Sequence, residues 1–250
     1  MSDKTIKRLH AAQRDDIGDL STRRPLPGPQ IAQLDPFLFL NHHGPQAYPP
    51  GNRGLPFGPH PHRGFETVTF ILEGSLMHKD SAGHGSVIGA GGVQWMTAGR
   101  GIVHAEISPP EFLRDGGPLE ILQLWVNLPS RLKMTEPAYV GLARSQIPQH
   151  EAAGATVRLI AGEWEGHRGP VRPLLDIFMA SVAFEPGGSA WFNELGGRNV
   201  FLYVARGSAA IGGDTASAFH LAELSDQGDE LVLESEHGAL LLFGHAEPIG

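Results

Sequence analysis

Short segments rich in β-branched and aromatic residues recur along the whole chain, and Gly, Pro, Asn or Asp separates each from the next. This pattern is typical of short β-strands joined by tight turns. It predicts strands over residues 65–72, 75–79, 93–97, 121–127, 156–161, 177–184, 199–205 and 239–243. Helical periodicity is scarce, and the short helix candidates are residues 110–114 and 129–134. Many short strands with frequent turns indicate an all-β sandwich or small barrel.

A weak internal repeat divides the chain in two. Residues 69–75, TFILEGS, resemble residues 202–208, LYVARGS, and both predict a strand, a glycine turn and a second strand. Residues 119–125 and 238–243 are similar in the same way. We interpret the repeat as two copies of one β-barrel unit that join near the polar stretch 143–155. The predicted domains are therefore residues 1–142 and residues 143–250.

Composition limits the chemistry that the chain can perform. It has 250 residues and no cysteine, which excludes disulfides, thiolate metal sites and iron–sulfur clusters. Any metal must be held by His, Asp, Glu or backbone oxygen. The net charge of −8 argues against direct binding to nucleic acid, because an acidic chain repels phosphates. A polar N-terminus and the lack of a long apolar run predict a cytoplasmic protein that does not enter a membrane.

Two pairs of potential metal ligands have the spacing of a β-strand. His60 and His62 are two residues apart, and so are His104 and Glu106. Side chains two apart in a strand point to the same face, so each pair can project into a barrel interior. Three imidazoles and a carboxylate suit one divalent ion: iron, manganese, nickel, copper, zinc or cobalt. Four ligands on an octahedral ion leave two positions for water, substrate or dioxygen, as a catalytic site requires.

The identity of the carboxylate remains open on spacing alone. Glu66 shares the parity of His60 and His62, and it could ligate the metal, hydrogen-bond a ligand or act as a base. Glu106 is preferred as the ligand because it follows His104 by two positions. Nearby aromatic side chains are candidates to contact a flat substrate, although core packing is their commoner role: Phe57, Phe65 and Trp95.

The strings around these residues closely resemble the pirin family of the cupin superfamily. They are HPHRGFETVT at 60–69, QWMTAGRGIVHAE at 94–106 and LQLWVNL at 122–128. The resemblance implies a bicupin, with two jelly-roll-like β-barrels packed together, few short helices, and metal in the N-terminal barrel alone. The family's ligands fall on His60, His62, His104 and Glu106, which favours Glu106 over Glu66. The implied metal is Fe(II).

The resemblance also implies a function. Some bacterial pirins are similar to quercetin 2,3-dioxygenases, so we expect a dioxygenase that cleaves quercetin or a related flavonol with O2, using Glu106 or Glu66 as a base. The alternative is a non-enzymatic, iron- or redox-sensing regulator that binds a protein partner such as a transcription factor, as mammalian pirin does. In one departure from the family, His42 and His43 replace a more acidic stretch. We expect them to line the pocket mouth or to lie in a loop without a role.

Overall fold

The structure, a computed structural model, describes residues 2–250 and consists almost entirely of β-strands, which confirms the predicted all-β class. The elements up to residue 142 are β1 (Ile6–Ala11), β2 (Gln13–Arg14), β3 (Thr22–Leu26), β4 (Phe37–Tyr48), β5 (Phe57–His62), β6 (Phe65–Glu73), β7 (Ser75–Asp80), β8 (Gly85–Gly89), β9 (Val93–Thr97), β10 (Ile102–Ile107), α1 (Pro110–Asp115), β11 (Gly117–Asn127) and β12 (Ala138–Leu142).

A 3-10 turn at Arg144–Gln146 leads into the later strands. These are β13 (Gln149–Ala152), β14 (Ala155–Ala161), β15 (Glu163–Trp164), β16 (His167–Arg168), β17 (Ile177–Phe184), β18 (Gly188–Phe192), β19 (Asn199–Ile211), β20 (Asp214–Ser217), β21 (His220–Leu224), β22 (Leu231–Ser235) and β23 (Ala239–Ala246).

Every segment predicted as a strand lies inside an observed strand, and β9 and β17 have the predicted bounds. The helix predicted at 110–114 is present as α1, which begins with a proline in its first turn. The helix predicted at 129–134 is wrong. Those residues form successive turns instead, closed by hydrogen bonds such as that from the Leu132 amide to the Pro129 carbonyl.

One compact unit comprises residues 13–27 and 37–146. It contains a four-stranded antiparallel sheet in the order β5-β10-β7-β8 and a seven-stranded sheet in the order β12-β9-β6-β11-β4-β3-β2. The two sheets face each other, because Glu106 on β10 hydrogen-bonds Thr69 on β6 and Gln123 on β11. They therefore enclose an interior lined from both sides, as in a small barrel.

The other compact unit comprises residues 147–250, a segment ending at Ala12, and residues 28–36. Its main sheet has the order β1-β21-β19-β23-β17-β14-β13, and its core is formed by aliphatic and aromatic residues from most of these strands. The predicted boundary between residues 142 and 143 lies close to the passage between units at 146–147. The structure differs from a single cut in one respect, since β1 pairs with β21 through backbone hydrogen bonds that no sequence pattern indicates. The two domains as bounded above stay a prediction.

The predicted repeat differs between its two copies. Gly74, at a φ of +81°, separates β6 from β7 as expected. Gly207, at a φ of +73°, lies inside β19, which continues to Ile211 without a turn. The strand changes partners at this glycine, from β21 and β23 before it to β20 and β22 after it. Gly207 therefore bends a strand where Gly74 ends one.

Candidate metal centre

The structure brings the three predicted histidines together. Strands β5 and β10 pair antiparallel with His104 opposite His60 and Ile102 opposite His62. The ring centroid of His104 lies 4.5 Å from that of His60 and 4.9 Å from that of His62. One nitrogen from each of the three rings lies within 4.8 Å of the others, a spacing that a single metal ion can bridge. We call His60, His62 and His104 the histidine triad.

Local sequence explains why these strands end up in register. Strand β5 lies at the edge of its sheet, which tolerates Pro59 and Pro61 because proline cannot donate to a second neighbour. The turns that follow β5 and β9 are joined by a hydrogen bond of 2.8 Å from the Gly64 amide to the Gly99 carbonyl. Gly99 has a φ of +50°, and a Cβ there would overlap the Thr135 carbonyl oxygen. Only glycine fits this turn, which sets where β10 begins.

Burial keeps two of the triad imidazoles uncharged at neutral pH. It lowers the pKa of His62 to about 4, with His60 adding to the effect, and lowers the pKa of His104 to about 3, with His62 adding. Neutral imidazole is the form that binds metal. The third ring is held by its own loop, since His60 Nδ1 donates to the Gly58 carbonyl at 2.7 Å and leaves the lone pair of Nε2 available.

A buried nitrogen without a partner shows that the triad fits a metal ion. His104 Nε2 is inaccessible to solvent and has no hydrogen-bond partner among residues 2–250. A buried polar atom without a partner destabilises a fold by about 1–3 kcal/mol. A divalent cation bound among the three imidazoles would accept the lone pair of His104 Nε2.

His78 and Asp80 support the triad, and the sequence analysis missed both. His78 Nδ1 lies 3.4 Å from His104 Nδ1, and His78 Nε2 lies 3.1 Å from Asp80 Oδ2. All four atoms are satisfied when His78 donates to Asp80 and accepts from His104, which leaves His104 Nε2 as the lone-pair atom. The His78 ring stacks on Tyr139 at 4.1 Å. His78 and Asp80 are themselves two residues apart, at the end of the strand predicted over residues 75–79, and this spacing could have found them.

Asp80 is held in its charged form. Burial by itself would raise its pKa, but hydrogen bonds from His78 and His84 outweigh burial and lower the pKa of Asp80 to about 2. A permanent carboxylate at this point favours a proton on His78 Nε2. The orientation of the His104 ring is thereby set through His78.

Glu106 lies inside the same unit but outside the triad. Its Oε1 accepts a hydrogen bond of 2.8 Å from Thr69 Oγ1, and its Oε2 accepts one of 2.5 Å from Gln123 Nε2. Burial raises the pKa of Glu106, against the opposing effect of the Thr69 hydrogen bond. The carboxylate is not one of the atoms grouped within 4.8 Å. Its role as the fourth ligand remains a prediction.

Glu66 faces the opposite side of β6. Thr69 contacts Glu106 in the interior, and Glu66 differs from it by an odd number of positions, so its side chain points to the other face. There its Oε1 accepts a hydrogen bond of 2.6 Å from Thr97 Oγ1, and burial raises its pKa. The parity argument linked Glu66 to His62, but the turn at Gly64 separates β5 from β6. This position gives no support to Glu66 as a base.

Aromatic side chains form a wall beside His62. Phe65 and Trp125 lie 5.1 and 5.3 Å from the His62 ring, and Phe39 stacks on Trp125 at 4.5 Å. Phe65 was a predicted substrate contact, whereas Phe39 and Trp125 were missed although Trp125 falls in a quoted string. Phe57, another candidate, lies opposite Glu106 in the pairing of β5 with β10 and packs near His43. Only the third candidate lies elsewhere, because Trp95 pairs opposite Val68 on the face that Glu66 shares.

His42 and His43 lie inside β4, so the expectation that they lie in a loop is wrong, and a place at the pocket mouth stays a prediction. His42 Nε2 lies 2.9 Å from Glu120 Oε1, and His43 Nδ1 lies 2.9 Å from Thr22 Oγ1. Both residues are buried. Residues 41–44 are polar, and for that reason the twelve-residue strand β4 was not predicted. It pairs with β11 on one side and β3 on the other.

Comparisons with known proteins agree on one family. The family model described as Pirin matches residues 19–126. A pirin-like protein of Caulobacter vibrioides is 40% identical over 249 residues, covering 98% of this chain and 87% of that protein. Pirin of Homo sapiens is 37% identical over 237 residues, covering 93% and 77%. The crystal structure of quercetin 2,3-dioxygenase from Acinetobacter baumannii superposes with a TM-score of 0.92 at 32% identity, covering 100% of this chain and 88% of that one.

Within residues 2–250 there is no helix of sufficient length and apolar character to cross a membrane.

Proposed function

This chain belongs to the pirin family and has a cupin-like fold, and from that premise we propose that it is a metal-dependent dioxygenase that cleaves quercetin or a related flavonol with O2. The observation that carries the proposal is the buried, unpartnered His104 Nε2 among three converging imidazoles. A similar structure bears the name quercetin 2,3-dioxygenase, which supports the choice of substrate class.

The proposed ligands are His60, His62 and His104, with Glu106 as the fourth, and the proposed metal is Fe(II). Imidazole and carboxylate donors suit iron, and they suit other divalent ions of the first transition series as well. When bound, such an ion supplies Lewis acidity toward a hydroxyl group and one-electron chemistry toward O2.

The chain's own residues bind the substrate and move a proton. Phe65 and Trp125 offer aromatic surface for a flat ring system next to His62. Glu106 accepts the proton of the flavonol 3-hydroxyl on one carboxylate oxygen, since burial makes it a stronger base than an exposed glutamate. Thr69 and Gln123 hold that carboxylate in the interior. A compact apolar wall also limits water near the reacting ring.

The test combines metal loading with detection of the gas released. Protein loaded anaerobically with iron is exposed to quercetin and air, and carbon monoxide is measured with the loss of quercetin absorbance. His62→Ala should lose most of its metal and its carbon monoxide release, and Glu106→Gln should reduce release by about 100-fold or more. His237→Ala, an exposed residue outside the site, is the control. Metal-replete wild-type protein that releases no carbon monoxide would rule out flavonol cleavage.

A second candidate function is regulatory binding of a protein partner. It is favoured by Val103 and Val87, which are 44% and 56% exposed on the sheet that carries the triad. Val103 adjoins His104 and therefore points to the outer face, where an apolar partner surface would fit. Recovery of partners on immobilised ferrous and ferric protein tests this function. Equal recovery in the two states would exclude redox sensing.

A further inference from the structure

The unit that contains residues 147–250 has a cavity of its own, with a volume of about 450 Å³. Its lining includes Trp164, Trp191, Asn193, Glu194, Arg198 and His245. An offset of 133 residues between Gly74 and Gly207 places Asn193 where His60 stands in the first half and Leu195 where His62 stands. Leucine cannot ligate a metal, so this cavity calls for different chemistry from the histidine triad.

A fixed hydrogen-bond donor lies at the buried end of the cavity. His245 is 9% exposed and stacks on Phe178 at 4.8 Å. Arg198 Nε donates to His245 Nδ1 at 2.7 Å, so the proton of the neutral ring must sit on Nε2. Burial, reinforced by Arg198, lowers the pKa of His245 to about 3. Nε2–H makes no hydrogen bond within residues 2–250 and is not sealed from solvent, so it is available to a ligand.

An aromatic surface forms one wall. Trp191 is 43% exposed, unusual for tryptophan, and its backbone carbonyl accepts a hydrogen bond of 3.1 Å from Trp164 Nε1. That bond anchors the strand carrying Trp191 to the second tryptophan, which is buried. The wall can cover the flat apolar face of a ring.

Carboxylates without hydrogen bonds complete the lining. In the described chain, neither Glu165 nor Glu194 accepts a hydrogen bond, and their backbones have φ of 48° and 61°, a region that few residues other than glycine occupy. The guanidinium of Arg198 is already engaged by Asp176, through its carboxylate at 2.9 Å and its carbonyl at 2.8 Å. The net charge of the lining is therefore negative, and it repels anions.

We propose that this cavity binds a small uncharged polyol with a flat apolar face, the chemistry of a cyclic sugar. A hydroxyl group both accepts and donates, so it matches the His245 Nε2–H donor, the glutamate acceptors and the two-sided amide of Asn193. The ring face of such a ligand covers Trp191. An organic cation would satisfy the glutamates but would leave the His245 donor without an acceptor, and an anion would meet Glu165 and Glu194 as like charges.

The experiment is a titration of the isotope-labelled full-length protein, followed by NMR. The probes are glucose and myo-inositol up to tens of millimolar, with spermidine as the cationic and citrate as the anionic comparison. We expect glucose or myo-inositol to shift the signals of Trp191, Glu194 and His245 in a saturable way. Shifts with spermidine alone, shifts confined to the triad around His104, or no shifts at all would each overturn the proposal.

Variants separate the cavity from the rest of the protein. Trp191→Ala should weaken binding by about 10-fold, the value of one aromatic contact. Glu194→Gln should weaken it less, because an amide still accepts one hydrogen bond. Val232→Ala is the matched control, since Val232 is 42% exposed and lies directly opposite Trp191 on β22 but does not line the cavity. Equal affinity in Trp191→Ala and Val232→Ala would contradict the proposed wall.

Discussion

At the scale of single residues, the hydrogen bond made by one ring nitrogen of an imidazole decides whether the other nitrogen carries a proton or a lone pair. The Gly58 carbonyl accepts a hydrogen bond from His60 Nδ1–H, and His78 Nδ1 accepts one from His104 Nδ1–H. In both rings Nε2 is then the lone-pair atom that a metal needs. The same reasoning assigns the opposite role to His245, whose Nδ1 accepts from Arg198 and whose Nε2 becomes a donor.

His78→Phe tests the support given to His104. The variant keeps a ring to stack on Tyr139 but removes both nitrogens, so we expect metal affinity to fall by about 10–100-fold. Competition with a chromophoric chelator measures the affinity. Tyr139→Phe, which keeps the ring and loses only the hydroxyl bonded to Ser86, should bind metal as the wild type does. His78→Gln restores a hydrogen-bond acceptor and should recover part of the loss. Unchanged affinity in His78→Phe would mean that His104 needs no such partner.

His43 should make the free energy of unfolding depend on pH. Burial, with His42 as a smaller cause, lowers its folded pKa to about 3 from 6.5. Between these values the unfolded chain binds a proton that the folded chain does not, so stability falls as pH drops below 6.5. The contribution is roughly 1.4 kcal/mol per pH unit. Urea unfolding at pH 7, 6 and 5 should therefore show a flatter pH dependence for His43→Gln than for the wild type. His237→Gln, exposed in the fold, should leave the slope unchanged, and equal slopes for all three would contradict the buried neutral state.

At the scale of elements, turns decide which side chains share a face. Strand β6 begins after the turn at Gly64, and that turn places Glu66 on the face opposite to Thr69 and Glu106. Parity counted across the turn predicted that Glu66 points into the interior with His60 and His62. In the structure Glu66 lies on the other face of β6. Within a single strand the same count held, as for His60 and His62 in β5.

Gly99→Ala tests the turn before β10. The new Cβ would overlap the Thr135 carbonyl at a positive φ, so we expect a loss of more than about 2 kcal/mol in the free energy of unfolding, together with weaker metal binding. Gly51→Ala is the control, because its φ is also positive at +73° but a Cβ there meets nothing within 4 Å. It should cost only about 1 kcal/mol and leave metal affinity intact. Comparable effects of the two changes would show that contact with Thr135 does not matter.

At the scale of the whole molecule, the two units present different chemistry. One gathers His60, His62 and His104, while the other opens a cavity with His245 as a donor. The described residues contain no second group of three close histidine or carboxylate ligands.

Because the described residues contain one such group of ligands, metal content and the stabilisation by metal should both correspond to a single site. We expect about one ion per chain by elemental analysis after iron loading and desalting. Binding should stabilise the folded protein by about 2.7 kcal/mol when free metal is 100 times its Kd, and chelation should remove that gain. Thermal unfolding with and without metal measures the shift. His62→Ala should show neither the ion nor the shift, and a ratio near two in the wild type would require a site outside the triad.

The sequence by itself determined eight of the strands, the all-β class, the family and the two ligand pairs His60/His62 and His104/Glu106. These are local properties: a period of two residues fixes which side chains of one strand point together, and family strings are contiguous. Only the tertiary structure decided that Glu106 lies inside while Glu66 faces away, that His78 supports His104, that β1 joins the later strands, and that His245 opens on a cavity. Each of those depends on hydrogen bonds and packing between residues far apart in the chain, whose partners are chosen by turn geometry and register rather than by any pattern within one segment.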